Sequence, residues 1–378
     1  MQLTTLRQCR FLIFYVLLSV SSLTAAAQTD SLEIQTDSLD IKIGQMILFG
    51  FSGTKADTTT NFYREIREGK LGGILIYDRN ITPANTAGKL KELIASYQQA
   101  AAIPLFISID QEGGLVNRLK QKYGFPPMPS QSWMGAMNDT ALTSSIASNA
   151  AKAMTGLGIN LNYSPVLDVK DASNPVLGKL KRCFSSKPSV ITKQAAAMID
   201  AYHALGLLSV VKHFPGHGRS TTDSHLGVAD VTKRWRPNEL DPYTALIASG
   251  RLDAVMTAHI INRQLDAEGL PATLSHNIIT GLLRDSLHFA GVVISDDMQM
   301  HAISKYFGLK QSIRLAIEAG NDILMFSNHI AGAQMTGPTA IFNIIKTMVL
   351  NEEISRERID QSFERIMLLK QRIALQTN

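Results

Sequence analysis

The densest group of side chains that could do chemistry lies between Lys212 and His225, in the sequence KHFPGHGRSTTDSH. Three histidines, a lysine and an aspartate occur in this segment, and its proline and glycines disfavour a helix, so we expect a loop. Within that loop, the carboxylate of Asp223 would orient and stabilise the imidazole of His225, which can shuttle protons near neutral pH. The segment therefore predicts a carboxylate–histidine dyad that acts as acid and base.

A metal site is the alternative interpretation of the same histidines. The ligands for a divalent ion that activates water would then be His213, His217, His225, His259 and Asp296. However, the Pro-Gly pair between His213 and His217 removes the helical face on which two such histidines would share a metal ion. The spacing favours the dyad, and we expect no metal ion and no other cofactor.

A carboxylate suited to nucleophilic attack is Asp296, in the sequence GVVISDDMQM. It follows an apolar run that has the character of a buried strand. An acid/base group and a carboxylate nucleophile are the minimum for hydrolysing a glycosidic bond with retention of configuration. Most such enzymes use two carboxylic acids, so a histidine as acid/base would be an exception.

The elements that must position these groups alternate between strands and helices. Eight short apolar runs predict strands at Gln45–Phe51, Gly72–Tyr77, Leu105–Asp110, Ile159–Val169, Leu207–His213, Ala254–His259, Val292–Asp296 and Ile323–Ser327. Segments with helical spacing include Pro83–Gln99, Leu142–Leu157, Ile191–Leu205, Lys305–Ala319 and Asn351–Arg372. Eight such repeats predict an α/β fold, a parallel (β/α)8 barrel (TIM barrel) that forms a single catalytic domain. An open doubly wound sheet is disfavoured, because no G-x-G-x-x-G follows the first strand.

Polar residues end five of these strand runs. They are Asp110, Asp168, the pair Lys212 and His213, His259, and Asp296. The carboxyl ends of the strands form the rim of a (β/α)8 barrel where catalytic groups collect. We therefore expect the active site at this rim.

The N-terminal segment has the pattern of a secretory signal. Arg7 and Arg10 precede the apolar stretch Phe11–Val20, and small residues follow at 25–27. We expect residues 1–27 to be removed and the protein to be periplasmic or secreted, although a retained membrane anchor is the alternative. The apolar stretch is too short for an ordinary spanning helix, so we expect no stable membrane insertion after cleavage. Residues 28–41 repeat one heptapeptide and are interpreted as a short tether, and the catalytic domain would occupy 42–378.

The composition excludes several classes of protein. The 37 Lys and Arg residues against 32 Asp and Glu give a net charge of +5 without a basic run, so we expect no nucleic-acid partner. The two cysteines, Cys9 and Cys183, cannot form a disulfide framework or a zinc ribbon. The remaining class is a soluble globular protein, which we expect to be a monomer.

Together, these motifs resemble glycoside hydrolase family 3, in its β-N-acetylglucosaminidase branch. The resemblance extends from about Ile43 to Lys370 and rests on IGQMILFGF, GGILIYDRNI, ISIDQEGGLVNRL, YSPVLDV, NPVLGKLKRCFSS, KHFPGHG with DSH, VMTAHI and VVISDDMQM. The combination of KHFPGHG and DSH is the most specific of them. The family's β-glucosidases lack it and carry their acid/base on another domain.

The resemblance implies a role for each residue that matches a family motif. Asp296 would be the nucleophile that forms a covalent glycosyl-enzyme, His225 the acid/base, and Asp223 its dyad partner. The terminal sugar would be bound by Asp110, Arg118, Arg182, Lys212 and His213. The matching residues His217, His259, Asp168 and Asp297 are expected to support the loops and the rim.

The sequence departs from the family pattern at two positions. The arginine that usually follows QEGG is replaced by Leu115, and the serine that usually follows Arg182 is replaced by Cys183. Neither position carries the bond-breaking step.

The expected function is that of an exo-acting, retaining β-N-acetylhexosaminidase. It would remove terminal β-linked N-acetylglucosamine from an oligosaccharide or muropeptide substrate, derived from peptidoglycan or from other glycans. A phosphorolytic enzyme and a family 3 β-glycosidase of broader specificity are the main alternatives. A metal-dependent hydrolase and a non-catalytic glycan-binding barrel are further ones.

Overall fold

Eight parallel strands form the centre of the protein in a computed structural model, which describes residues 38–222, 227, 229–329 and 335–374. In chain order they are β1 Ile47–Gly50, β2 Gly73–Ile76, β3 Phe106–Ile109, β4 Leu161–Asn162, β5 Leu208–Phe214, β6 Ala254–Thr257, β7 Val292–Ile294 and β8 Leu324–Phe326. Each strand pairs with the next from β1 to β7, and β8 pairs with β1. A parallel bridge between Ile294 and Ile323 joins β7 to β8, so the predicted (β/α)8 barrel is confirmed.

All residues of these eight strands are buried, as expected for parallel strands that are covered by helices on the outside. The strand predicted over Ile159–Val169 is the one that differs most, because β4 contains only Leu161 and Asn162. Pro165 interrupts the run since it has no N–H to donate to a neighbouring strand. The following residue, Val166, returns to form an isolated parallel bridge with Lys212 of β5.

The helices pack around the barrel. They are α1 Leu39–Gln45, α2 Asn61–Arg67, α3 Thr86–Ala100, α4 Gln131–Met137, α5 Thr140–Gly156, α6 Pro188–His203, α7 Asp241–Ala248, a π-helix Asn277–Ser286, α8 His301–Ser304, α9 Leu309–Ala319, α10 Pro338–Leu350 and α11 Arg356–Ala374. Short 3₁₀ helices lie at Asp78–Asn80, Gln121–Tyr123, Pro237–Glu239 and Ala272–Leu274, and Ala229–Asp230 pairs with Ile260–Ile261 outside the barrel. No helix in the described ranges combines the length and the apolar character needed to span a membrane.

The predicted helices agree with the observed ones except at their ends. The helix predicted from Lys305 begins only at Leu309, because Gly308 provides the extended residue that precedes its first turn. The predicted tether 28–41 overlaps α1, whose first turn is capped by the hydroxyl of Ser38. The predicted signal segment and the rest of the tether, residues 1–37, lie outside the described residues.

Candidate active site

A cavity of about 230 Å³ opens at the carboxyl ends of the strands. Asp110 follows β3 directly, Lys212 and His213 end β5 together with Phe214, and Asp296 follows β7. All the predicted sugar-binding residues and the predicted nucleophile line this cavity, namely Asp110, Arg118, Arg182, Lys212, His213 and Asp296. The position of each at a strand end or in the loop behind it explains why residues far apart in the chain meet here.

Lys212 connects two carboxylates at the floor of the cavity. Its Nζ lies 2.7 Å from Asp110 Oδ1 and 2.7 Å from Glu112 Oε1, and its side chain is only 2% exposed. A buried ammonium requires such partners, because an unpaired charge away from water is costly. Lys212 therefore has a fixed position from which it can donate to a bound ligand.

Glu112 is the main residue of the site to which the sequence pattern assigned no role. It accepts two hydrogen bonds from Arg182, from Nε to Oε2 and from Nη2 to Oε1, each of 2.8 Å. Burial alone would raise the pKa of Glu112, but the charges of Arg182 and Lys212 outweigh burial and hold the pKa well below its usual range. Glu112 is therefore ionised and orients both cations. Only its place in IDQEGG, two residues after Asp110, could have suggested this.

His213 is held from behind by a buried aspartate. Its Nδ1 lies 2.7 Å from Asp168 Oδ2, and its Nε2 lies 3.5 Å from Arg182 Nη2. Because a guanidinium only donates, the second contact assigns the lone pair to Nε2 and the proton to Nδ1. Burial would raise the pKa of Asp168, but His213 and His217 together outweigh burial and lower the pKa. Asp168 thus lies where a supporting residue was expected.

The backbone after β7 fixes the predicted nucleophile. The N–H of Asp297 donates to Asp296 Oδ1 over 2.8 Å. The Asp297 carboxylate accepts from the N–H of Gln299 and of Ser327, both over 3.1 Å, and burial raises its pKa to about 6. His259 Nε2 lies 2.9 Å from the Asp297 carbonyl oxygen, to which it donates. Asp297 and His259 therefore support the turn that carries Asp296, as expected.

Arg118 and two aromatic rings form another wall of the cavity. Arg118 Nη1 lies 3.0 Å from Asp78 Oδ2, and Nη2 lies 3.9 Å from Asp110 Oδ2. The guanidinium carbon lies 5.3 Å from the centre of the Tyr77 ring, and the rings of Tyr77 and His329 are 4.2 Å apart. The sequence pattern did not single out His329, which follows β8 in a segment without a recognised motif.

The predicted dyad residues Asp223 and His225 lie outside the described residues, so the dyad stays a prediction. The loop expected over Lys212–His225 is wrong at its start, because β5 continues to Phe214. The reason is the parallel pairing of β5 with β6, which extends to the contact of Phe214 with Thr257. The loop therefore begins at Pro215.

The alternative metal site gains no support from the described part of the chain, in which no three His, Cys, Asp or Glu side chains are grouped to hold a metal ion. His213 Nδ1 contacts Asp168, while His259 Nδ1 lies 2.8 Å from Thr273 Oγ1 and its other nitrogen contacts a carbonyl. These histidines are used to build the rim.

The two departures from the family pattern lie away from the cavity lining. Leu115 is 70% exposed at the surface. Cys183 is buried, and burial raises the pKa of its thiol, so the thiolate is disfavoured. Neither side chain changes the polar groups that face the cavity.

Comparisons with known proteins show which sequences and structures this chain resembles. The sequence model described as the glycosyl hydrolase family 3 N terminal domain matches residues 38–369. A β-hexosaminidase of Tolumonas auensis is 35% identical over 276 residues, which cover 71% of this chain and 80% of that protein. A family 3 β-N-acetylglucosaminidase structure from Paenibacillus has a TM-score of 0.81 and 37% identity, over 89% of this chain and 63% of that one. A β-N-acetylhexosaminidase structure from Beutenbergia cavernae has a TM-score of 0.78 and 27% identity, over 88% of this chain and 98% of the other.

Proposed function

We propose that this chain, which belongs to glycosyl hydrolase family 3 and to its β-N-acetylhexosaminidase branch, removes terminal β-linked N-acetylglucosamine with retention of configuration. The observation that carries the proposal is the placement of Asp296 in one small cavity with Asp110, Arg182 and Lys212. A carboxylate in this position can act as the nucleophile of retaining glycoside hydrolysis, and the charged groups beside it can bind the sugar.

The bound sugar would be held by the charged groups on the cavity floor. Asp110 can accept from sugar hydroxyl groups, while Lys212 and Arg182 donate to sugar oxygens. Charge-assisted hydrogen bonds of this kind are stronger than neutral ones, and they strengthen further as positive charge develops at the anomeric carbon. Binding would therefore favour the transition state over the ground state, which is what accelerates the reaction.

In the first step, Asp296 attacks the anomeric carbon and the bond to the leaving oxygen breaks. His225 gives its proton to that oxygen, and a covalent glycosyl-enzyme remains. In the second step, His225 removes a proton from water, which attacks the anomeric carbon and releases Asp296. Asp223 would hold the imidazole and stabilise its protonated form. Two displacements at one carbon restore the original configuration.

The size of the cavity favours an enzyme that acts on chain ends. Its volume of about 230 Å³ lies below the range of roughly 300–1,000 Å³ typical for sites of drug-sized ligands. One sugar residue would occupy it, with the rest of the substrate outside. We infer that the natural substrate is a fragment of peptidoglycan or of another glycan with a terminal N-acetylglucosamine. The secretory pattern over residues 1–27 supports a periplasmic or extracellular location.

The decisive experiment is release of nitrophenol from aryl β-N-acetylglucosaminide and aryl β-glucoside, measured with and without EDTA. We expect activity on the first substrate, little on the second, and no effect of EDTA. Comparable activity on both would indicate a broader β-glycosidase, and loss in EDTA would support the metal alternative. No release of nitrophenol from either substrate would contradict the proposed hydrolase activity.

The nucleophile is tested with Asp296→Ala. We expect kcat to fall by about 10⁴-fold or more, because no other carboxylate would form the covalent intermediate. Mass spectrometry of rapidly quenched native enzyme should find the sugar on the peptide that contains Asp296, and proton NMR should show the β-anomer as the first product. An α-anomer would refute retention. Formation of a sugar 1-phosphate in phosphate buffer would identify the phosphorolytic alternative.

The location is tested by expressing the full chain in a bacterial host and fractionating the cells. We expect a periplasmic or secreted protein whose mass corresponds to cleavage after Ala27. A full-length protein in the membrane fraction would support the anchor, and a full-length soluble protein in the cytoplasm would contradict export.

A further inference from the structure

Asn174 is a fully buried side chain that joins two loops at the rim, and no role has been assigned to it so far. Its Nδ2 donates to the carbonyl oxygens of His217 and Gly218, over 2.9 and 3.0 Å. Its Oδ1 accepts from the N–H groups of Val176 and Leu177, over 2.9 and 2.8 Å. An asparagine amide has two donor hydrogens and two acceptor lone pairs, so all of its capacity is used.

The two joined segments have different tasks in the proposed reaction. The segment after β4 contains Val176, Leu180 and Arg182, which line the cavity. The segment after β5 contains His217 and Gly218, and a few residues later the chain reaches the predicted dyad. Asn174 therefore connects a wall of the sugar site to the base of the loop with the proposed proton donor.

Further contacts hold the base of this loop at the same place. The N–H of His217 donates to Asp168 Oδ1 over 2.6 Å. Gly218 lies so close to Val169 that an added Cβ would stand 1.9 Å from the Val169 carbonyl oxygen. The start of the loop after β5 is thus packed directly against the segment that follows β4.

We propose that Asn174 is a positioning residue that fixes the start of the loop after β5, at His217 and Gly218, against the segment that lines the sugar site. The inference rests on the proposed function, because it assigns proton transfer to the loop after β5. Four buried hydrogen bonds, two donated and two accepted by one rigid amide, fix both loop backbones relative to each other. Breaking them would leave buried polar groups without partners. Proton transfer depends on hydrogen-bond reach, so a small shift of the loop base would impair it.

The expected kinetic signature is a dependence on the leaving group. A phenol of low pKa departs without help from an acid, whereas a phenol of high pKa needs a proton in the transition state. A displaced acid/base should therefore reduce kcat/KM mainly for poor leaving groups, since kcat/KM reports the first displacement. A defect in sugar binding would instead reduce it equally for all leaving groups.

The test compares Asn174→Ser and Asn174→Asp with the native enzyme, on aryl β-N-acetylglucosaminides whose phenols span a wide range of pKa. Aspartate keeps the acceptor for Val176 and Leu177 but places an oxygen against the two carbonyls, while serine adds no charge. We expect kcat/KM to fall about 100-fold for the poorest leaving group and less than tenfold for dinitrophenol. The alkaline limb of the pH profile of kcat/KM, where the general acid loses its proton, should shift or disappear.

Asn160→Ser is the matched control. Asn160 is also a buried bridging amide, which accepts from the N–H of Ile107 over 2.8 Å and donates to the Leu105 carbonyl over 2.9 Å. It lies at the N-terminal ends of β3 and β4, away from the cavity. We expect lower stability but an unchanged dependence on the leaving group.

Two results would overturn the role of Asn174. One is an equal loss for every leaving group in the Asn174 variants, and the other is kinetics within twofold of the native enzyme. Hydrogen–deuterium exchange of peptides covering 214–222 needs no activity, and faster exchange is expected in Asn174→Ser than in Asn160→Ser. If the native enzyme cleaves another aryl glycoside instead, the proposed function fails, while the same series on that substrate and the exchange data still test Asn174.

Discussion

The two ends of the barrel both bury carboxylates among cations, but they use them differently. At the C-terminal end, Glu112 binds Arg182 and Lys212, and both cations face the cavity. Because both side chains line the cavity, each can also donate a hydrogen bond to a ligand there. This end, which we call the rim, is arranged for binding.

At the N-terminal end, which we call the base, Asp322 is fully buried and binds three arginines. The distances are 2.7 Å to Arg284, 3.3 Å to Arg358 and 3.1 Å to Arg365. The carboxylate also accepts from the N–H of Val293 over 2.9 Å. The arginines donate to backbone carbonyls as well, for example Arg284 to Gly320 and Arg358 to Ile317.

The difference shows which charged groups contribute to folding and which can contribute to ligand binding. At the base, the arginines donate to backbone carbonyl oxygens and connect helices to the N-terminal ends of strands. Their interactions therefore stabilise the fold. At the rim, the cations are held by carboxylates but still face a cavity, so their free energy can appear in substrate binding. This agrees with the general separation of stability and catalysis at the two faces of such barrels.

The largest expected effect comes from Asp322→Asn at the base. The substitution leaves three partly buried arginines without their shared carboxylate, and breaking a buried ion pair typically costs about 3–5 kcal/mol. We expect the free energy of unfolding, measured in urea, to fall by this amount, while kcat/KM per folded molecule stays unchanged. A large fall in kcat/KM at unchanged stability would contradict the proposal that the charges at the base serve folding and those at the rim serve binding.

Glu112→Gln at the rim also breaks a buried ion pair, but it should differ from Asp322→Asn by lowering kcat/KM per folded molecule. The amide nitrogen of glutamine would face the donors of Arg182 or Lys212, so one of these cations must move. A displacement of about 1 Å can cost about 100-fold in rate, and we expect kcat/KM to fall by this factor for good and poor leaving groups alike. Asp253→Asn, a buried carboxylate at the base that contacts His203, is the control, for which we expect native kcat/KM in the folded fraction. Native kinetics in Glu112→Gln would contradict its role.

Lys370→Met sharpens the comparison through the pH dependence of stability. Lys370 of α11 is 3% exposed and donates to Gln45 Oε1 and to the Gly72 carbonyl, and burial lowers its pKa to about 7. Between this value and 10.5, the unfolded chain binds a proton that the folded chain lacks, so the group makes stability rise with pH. We expect the native protein to gain up to about 1.4 kcal/mol per pH unit relative to Lys370→Met between pH 7 and 9. Parallel curves from urea unfolding would refute the shifted pKa.

The smallest effect is expected for Leu115→Arg, which restores the arginine usual in the family. Leu115 is 70% exposed and does not line the cavity. A surface substitution of this kind typically changes stability by less than about 0.5 kcal/mol, and we expect kcat/KM on aryl substrates to stay within about twofold. A change of tenfold or more would mean that this position reaches the substrate and that the rim extends beyond the described cavity.

Much of the fold followed from local patterns. Each of the eight apolar runs overlaps a barrel strand, because parallel strands covered by helices are apolar on both faces. The sugar-binding candidates were implied by the resemblance to a family, and the cavity is lined by all of them. The ends of the strands and helices were predicted less accurately, as β4 and the start of α9 show. They depend on pairing and capping partners outside the local pattern.

What the sequence determined by itself was therefore the alternation of strands and helices and the residue types available at the strand ends, where it predicted the chemistry. Only the tertiary structure decided which of these groups act together. Glu112 meets Arg182 across 70 positions and Lys212 meets Asp110 across 102, and Asn174 meets His217 across 43. No local spacing encodes such contacts, because they arise when barrel closure brings the ends of separate strands to one face.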